Sequence, residues 1–238
     1  MSDFYEVIES NEFFIVIYKK PNTNFHSENN QLGLFETVKQ NEGLQELYPV
    51  HRLDKVTSGV MIMAKTAEAN QELVDQFRLR QVEKYYLAIS AKKSKKKQGL
   101  IKGDMESARR GAWKLLTTQL NPAITQFFST SLGEGRRLFI VKPRTGKTHQ
   151  IRVALKSIGS PIMGDVLYAD AESCTGIDRV YLHAYSLAFV IKGKSYRFTA
   201  LPREGSFYLN NQFTTAIQEF SSPWDLAWPK VNKQEINN

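Results

Sequence analysis

One carboxylate in this chain, Asp54, stands between two cations, Arg52 and Lys55, inside the run His51-Arg52-Leu53-Asp54-Lys55-Val56-Thr57-Ser58-Gly59. A carboxylate so placed can attack an electrophilic carbon, move a proton, or simply pair with a neighbouring cation. The apolar run Val60–Ala64 that follows is too short for an ordinary helix and begins β-branched, so it reads as a buried strand. Gly59 permits a tight turn or a close backbone approach. Asp54 is therefore expected on a loop at the mouth of a sheet, a common place for chemistry. An isolated His-x-x-Asp is more often a loop aspartate paired with its arginine; a pattern extending through Ala64-Lys65 is more specific.

Other groups carry weaker signals. On residue type alone, Tyr86 is as readily a strand tyrosine packed half into a core as a flat face for stacking with a phenol for proton handling, and Arg152 reads as a surface arginine beside an apolar helical stripe. His51, His149 and His183 read as hydrogen-bonded histidines bracing loops. A single cysteine, Cys174, and no i, i+4 histidine pair argue against a metal site. Gly146-Lys147-Thr148 copies the end of a phosphate-binding loop, but Val141 stands where that loop needs its first glycine, so nucleotide hydrolysis is set aside.

The elements that must position these groups are readable in outline. Glu12–Tyr18 is strand-like and is stopped by Lys19-Lys20-Pro21-Asn22. Leu32–Leu47 is partly helical. Thr66 caps a helix that ends near Arg80-Gln81, and Tyr85–Ile89 returns to strand. Gly99–Gly111 carries turn signals and charge; Thr125–Ser131 and Leu138–Val141 are strands. Thr145 or Thr148 starts a helix whose stripe is Ile151, Leu155 and Ile158, with Gly159 at its C′ position. Strands follow at Val180–Leu182, Leu187–Ile191 and Tyr196–Ala200. Many strands and few helices predict an α+β fold with a mainly antiparallel sheet rather than regular βαβ winding.

With 42% hydrophobic and 24% charged residues, the 238-residue chain has the composition of an ordinary globular protein. No apolar run approaches a membrane span, and the opening residues lack the pattern of a signal peptide, which leads to the expectation of a cytoplasmic protein. The net charge of +8 suits a polyanionic partner. The charge concentrates in Lys92–Lys114, which holds Lys92, Lys93, Lys95, Lys96, Lys97, Lys102, Arg109, Arg110 and Lys114 against Asp104 and Glu106. Such a run is either a solvated loop or a phosphate-binding surface.

The segment His51–Lys65 resembles the surroundings of the catalytic aspartate in pseudouridine synthases of the RluA type, whose pattern is close to His-Arg-Leu-Asp-x-x-Thr-Ser-Gly, apolar residues, Ala-Lys. The Lys-Pro after the first strand, Val82–Ala88, Pro143–Leu155, Gly159–Asp165 with Tyr168, and Leu182-His183-Ala184 extend the resemblance, in the family's order, over most of Ile15–Pro202. Two positions depart from the family: Lys147 replaces an arginine and Ala154 a histidine. Lys147 keeps the charge but loses the planar fork. Both changes bear on RNA contacts or packing more than on the reacting groups.

The resemblance implies a catalytic domain over residues 1–220, a mixed, mainly antiparallel sheet with flanking helices and a central active-site cleft, without the separate amino-terminal RNA-binding domain that some relatives carry. The tail over 221–238, which mixes Pro, Trp and polar residues, reads as loosely docked or mobile. The resemblance also implies isomerisation of uridine to pseudouridine in structured RNA, a ribosomal or transfer RNA stem-loop. Asp54 would be the nucleophile, Arg152 its cationic partner in an ion pair, and Tyr86 the residue that stacks on the base and handles a proton. Arg52 would occupy the stack vacated by the flipped uridine. Lys84, Arg144, Lys147 and His149, with Lys92, Lys93, Lys95, Lys96, Lys97, Arg109 and Arg110, are the candidate RNA contacts. Asp165 and Tyr168 read as structural, shaping the turn behind the helix. The reaction is neither redox nor hydrolytic, so no cofactor or metal is expected. No obligate protein partner is expected, and a monomer is the default. The rival reading is a non-catalytic RNA-binding or RNA-folding protein on the same fold; retention of Asp54, Tyr86 and Arg152 together favours the enzyme, since a pure binder has no use for a carboxylate that repels phosphate.

Overall fold

The structure is a computed structural model that describes residues 2–28, 31–94 and 96–231. Strands β1 (Tyr5–Ser10) and β2 (Phe14–Lys19) lead to helix α1 (Leu34–Asn41), the short β3 (Tyr48–Pro49), β4 (Ser58–Ala64), α2 (Ala67–Arg78) and β5 (Glu83–Ser90). Then come β6 (Gln98–Gly103), the hairpin of β7 (Met105–Ser107) and β8 (Trp113–Leu115), β9 (Ala123–Gly133), β10 (Arg136–Pro143) and α3 (Gln150–Ser157). The chain closes through β11 (Leu182–Ile191), β12 (Lys194–Thr199) and α4 (Asn211–Ala216). The expected α+β class with a mainly antiparallel sheet is what the strands form. They gather into two compact units, residues 1–84 with 183–201 and residues 85–182 with 202–238.

In the first unit β1 pairs with β2, β2 with β4, β3 with β4 and β12 with β11, all antiparallel. β4 and β11 run parallel at His183↔Ser58 and Ala184↔Gly59. All of β2 and β4 is buried, as continuous apolar runs require when both faces of a strand are covered. Phe14, Val16, Val60 and Ile62 pack with Ala69 and Leu73 of α2 and with Phe189 and Phe198. The Phe14 ring meets Phe189 and Tyr196 edge-on at 5.2 and 4.9 Å. Helix α2 starts as expected: the Thr66 hydroxyl accepts from the Ala69 amide at 3.2 Å.

The second unit is an antiparallel succession β5-β10-β9-β6. Two expectations need correction here. The Gly99–Gly111 stretch, read as turns and charge, contains β6 paired along β9 and then a hairpin. Its strand character comes from pairing, since only Ile101 and Gly103 of β6 are buried. Helix α3 starts neither at Thr145 nor at Thr148 but at Gln150, after His149 in the left-handed conformation (φ 56°). Thr145 is engaged elsewhere, its hydroxyl donating to Gln150 Oε1 and accepting from the Ile124 amide. The expected C′ residue Gly159 does adopt positive φ (77°).

The described part of the tail is docked on its own unit. Trp224 and Trp228 pack on Tyr85 at 5.2 and 5.7 Å, and Gln126 donates to the Pro229 carbonyl. Covering part of two large aromatic rings is reason enough for a segment to dock. Residues 232–238 lie outside the described residues. Among the described residues no helix is long and apolar enough to cross a membrane.

Candidate active site

Asp54, Arg52 and Lys84 belong to the first unit; Tyr86, Arg152 and the remaining candidates belong to the second. Around Asp54 the chain leaves the core at Val50 and returns at Thr57, with the buried Leu53 as a foothold between. The Thr57 amide closes a turn onto the Asp54 carbonyl at 3.0 Å. From outside the turn, the fully buried Lys19 reaches in: its ammonium donates to the carbonyls of Thr57 (2.8 Å), Lys55 (3.0 Å) and Lys20 (3.1 Å). Three donors meet three acceptors, which is how a cation can be kept away from water. Lys19 thus holds the turn behind Asp54 and sets a positive charge in its floor. Residue type gave no hint of this, because a lysine at the end of a strand ordinarily points to solvent.

Two histidines brace the chain on either side of the turn, as expected of hydrogen-bonded histidines next to loops. His183 is fully buried, with Nε2 donating to the Ala200 carbonyl at 2.8 Å, so Nδ1 accepts from the Ser58 hydroxyl at 2.7 Å. His51 Nε2 accepts from the Ile62 amide at 3.1 Å, and its ring stacks on Phe77 at 4.7 Å. Burial, helped by the Lys84 ammonium, pulls the His51 imidazole down to about 3 from 6.5. Lys84, its ammonium 5.3 Å above the Phe77 ring, is itself lowered by burial to about 8.

A pH dependence of stability follows from His51. Between pH 6.5 and about 3 the unfolded chain binds a proton at this histidine that the folded chain does not, so stability falls as pH falls through that window. His51→Gln is expected to reduce the stability lost between pH 7 and pH 5 by roughly 1–2 kcal/mol relative to wild type, allowing for partial solvent screening. Urea unfolding at the two pH values checks it. Equal losses in both proteins would mean that His51 is protonated in the fold.

Tyr86 lies half-buried on β5, opposite Val141 of β10. Its neighbour Tyr85 is fully buried on the other side of the strand, as strand alternation requires, with its hydroxyl accepting from Lys142 at 2.9 Å. Arg152 is buried on α3, not a surface arginine. Its Nε and Nη2 donate to the two carboxylate oxygens of Asp165 at 2.7 and 2.8 Å. The Tyr168 ring lies 5.0 Å from the guanidinium, and the phenol accepts from the Trp113 amide (2.9 Å) and bonds His149 Nδ1 (2.8 Å). Asp165 and Tyr168 therefore do more than shape a turn: both touch Arg152. The turn role remains, since Asp165 also accepts from the Leu167 amide at 3.2 Å.

Of the candidate RNA contacts, Arg52, Lys93, Lys96 and Lys97 are exposed, and Arg109 and Arg110 form the exposed tip of the β7–β8 hairpin. Lys92 pairs with Asp170 and Lys147 donates to Asn121 at 3.0 Å. Arg144 is half-buried, and Lys95 lies outside the described residues. No group of three or more His, Cys, Asp or Glu side chains among the described residues is placed to hold a metal ion.

The first unit thus presents a carboxylate on a braced turn, and the second a buried guanidinium in a bidentate pair and two arginines on a hairpin tip. Comparison with known proteins gives the class. Residues 13–157 match the RNA pseudouridylate synthase family. A Haemophilus influenzae protein described as an uncharacterized RNA pseudouridine synthase is 46% identical over 215 residues, covering 90% of this chain and 95% of its own. The dual-specificity RNA pseudouridine synthase RluA of Escherichia coli is 34% identical over 151 residues, 60% of this chain and 69% of its own. Among solved structures, human RNA Pseudouridylate Synthase Domain Containing 1 superposes with a TM-score of 0.71 over 82% of both chains; at 22% identity this is a likeness of fold. The chain belongs to the RNA pseudouridylate synthase family, as an isomerase that converts uridine in RNA to pseudouridine.

Proposed function

We propose that the chain acts on defined uridines in ribosomal or transfer RNA stem-loops, with Asp54 as the attacking carboxylate and no cofactor. The reaction breaks the bond from C1′ to N1, turns the base, joins C1′ to C5 and moves the proton from C5 so that N1 ends as N–H. Nothing is oxidised and no water is consumed. Asp54 attacks the sugar or the base, and Arg152 is the cationic partner of the reacting groups. Tyr86 stacks on the base and handles the proton at C5. Arg52, exposed two residues before Asp54, fills the gap left by the flipped uridine. Arg109 and Arg110 on their hairpin, with the exposed lysines at 93, 96 and 97, take the phosphate backbone.

The observation that carries the proposal is the turn on which the half-buried Asp54 sits, held by Lys19, His183 and the Thr57 amide. A ribosomal target is supported by a relative in Borreliella burgdorferi, 30% identical over 183 residues, named ribosomal large subunit pseudouridine synthase D. Site-resolved pseudouridine mapping of total RNA from cells lacking the gene tests it. Loss of pseudouridine at a small set of positions, restored by the wild-type gene, is the expected result and names the target. No lost position would favour a binding protein that has kept the fold.

A further inference from the structure

The contacts of Arg152 point to two residues that the reaction needs without their touching the uridine. We propose that Asp165 and Tyr168 are positioning residues that fix the plane and direction of the Arg152 guanidinium; this rests on the reading of Arg152 as a catalytic group. Asp165 is completely buried and takes Nε and Nη2 together, a fork-on-fork pair that leaves the guanidinium no rotation about its own axis. Tyr168 closes one face of that plane at 5.0 Å. Neither support is itself loose. Asp165 is tied to the Leu167 amide, and the Tyr168 phenol is held between the Trp113 amide and His149.

The arrangement is more than a turn needs. A turn aspartate satisfied by backbone amides has no use for a bidentate arginine, and burying both charges is costly unless geometry is the return. A catalytic cation does need that geometry, because a misplacement on the order of 1 Å can lower a rate about a hundredfold. The anchoring also crosses elements: Tyr168 links α3, through His149 and Arg152, to the β8 strand of the arginine-tipped hairpin.

The test uses the full chain and an RNA transcript carrying the mapped uridine, with Asp165→Asn, Tyr168→Phe and Arg152→Lys compared with wild type. Single-turnover rates at saturating RNA and RNA affinity are measured separately, with a thermal melt of each variant. Asparagine keeps the shape of Asp165 but not its charge or its second acceptor; phenylalanine keeps the ring but not the anchor. The expected result is a rate at least tenfold lower for Asp165→Asn and about threefold to tenfold lower for Tyr168→Phe, with RNA affinity within twofold. Wild-type rates in both, alongside a slow Arg152→Lys, would overturn the inference and leave the catalytic reading standing. A wild-type rate in Arg152→Lys would remove the catalytic reading itself. A loss of affinity at an unchanged rate would assign the pair to RNA binding and also overturn the inference. Should Asp165→Asn fail to fold, Tyr168→Phe decides alone on the same two measurements.

Discussion

Asp54→Asn is expected to lower the single-turnover rate of pseudouridine formation at least a thousandfold, with unfolding free energy within about 1 kcal/mol of wild type. The asymmetry follows from where the turn gets its order. Lys19 binds the carbonyls of Lys55 and Thr57, the Thr57 amide binds the carbonyl of Asp54, and Ser58 binds His183. These bonds are made by the backbone of the turn and by the Ser58 hydroxyl, and an amide in place of the carboxylate leaves each of them intact. An asparagine of the same size therefore occupies the same turn but presents an amide, which is a poor nucleophile. Quenched-flow assays on the mapped RNA, beside urea unfolding of the same preparations, check both halves. A rate within tenfold of wild type would end the nucleophile assignment. A large loss of stability would mean that Asp54 holds the fold, and its rate loss would then say little about chemistry.

The Asp54 turn, β4 and α2 were legible because each is coded locally. An apolar run of five residues, a glycine before it and a threonine after it are short-range signals that tertiary contacts reinforce. What could not be read was what comes from far away in the chain. The start of α3 is decided by the Gln150 side chain, whose amide donates to the Ile124 carbonyl and the Thr125 hydroxyl on β9 while its oxygen accepts from Thr145 and the Lys147 amide. No propensity favours Gln150 over two threonines as a helix start. β6 is a strand because β9 is beside it, not because Gln98–Gly103 alternates well. Lys19 and Asp165 share the same difficulty. Each is a charged residue of a type expected at the surface, and each is buried by partners: Lys19 by backbone carbonyls 36 and 38 positions away, Asp165 by an arginine 13 positions away. Residue type alone shows the charge but not the satisfied contact that makes burial tolerable.

Gly59→Ala should be among the most destructive single-methyl changes in the chain, costing about 4 kcal/mol or more of stability. Gly59 has φ +117°, a region that side-chain-bearing residues rarely enter. The added Cβ would stand 2.1 Å from the Ala184 carbonyl oxygen and 2.7 Å from the Ala184 carbon and nitrogen, all of them backbone atoms. Relief requires β4 and β11 to part where they meet, at His183↔Ser58 and Ala184↔Gly59. That parting would stretch the Ser58–His183 bond of 2.7 Å and pull Thr57 from Lys19, so the Asp54 turn would loosen with the strand. Activity is then lost together with the fold, the reverse of the Asp54→Asn pattern. Gly43→Ala is the control, because Gly43 also has positive φ (62°) but nothing within 4 Å of an added Cβ. It should cost only about 1 kcal/mol, the backbone term by itself. Urea unfolding of the two variants separates the contributions. If Gly59→Ala is no worse than Gly43→Ala, the close approach of β4 to β11 is not what shapes the turn that carries Asp54.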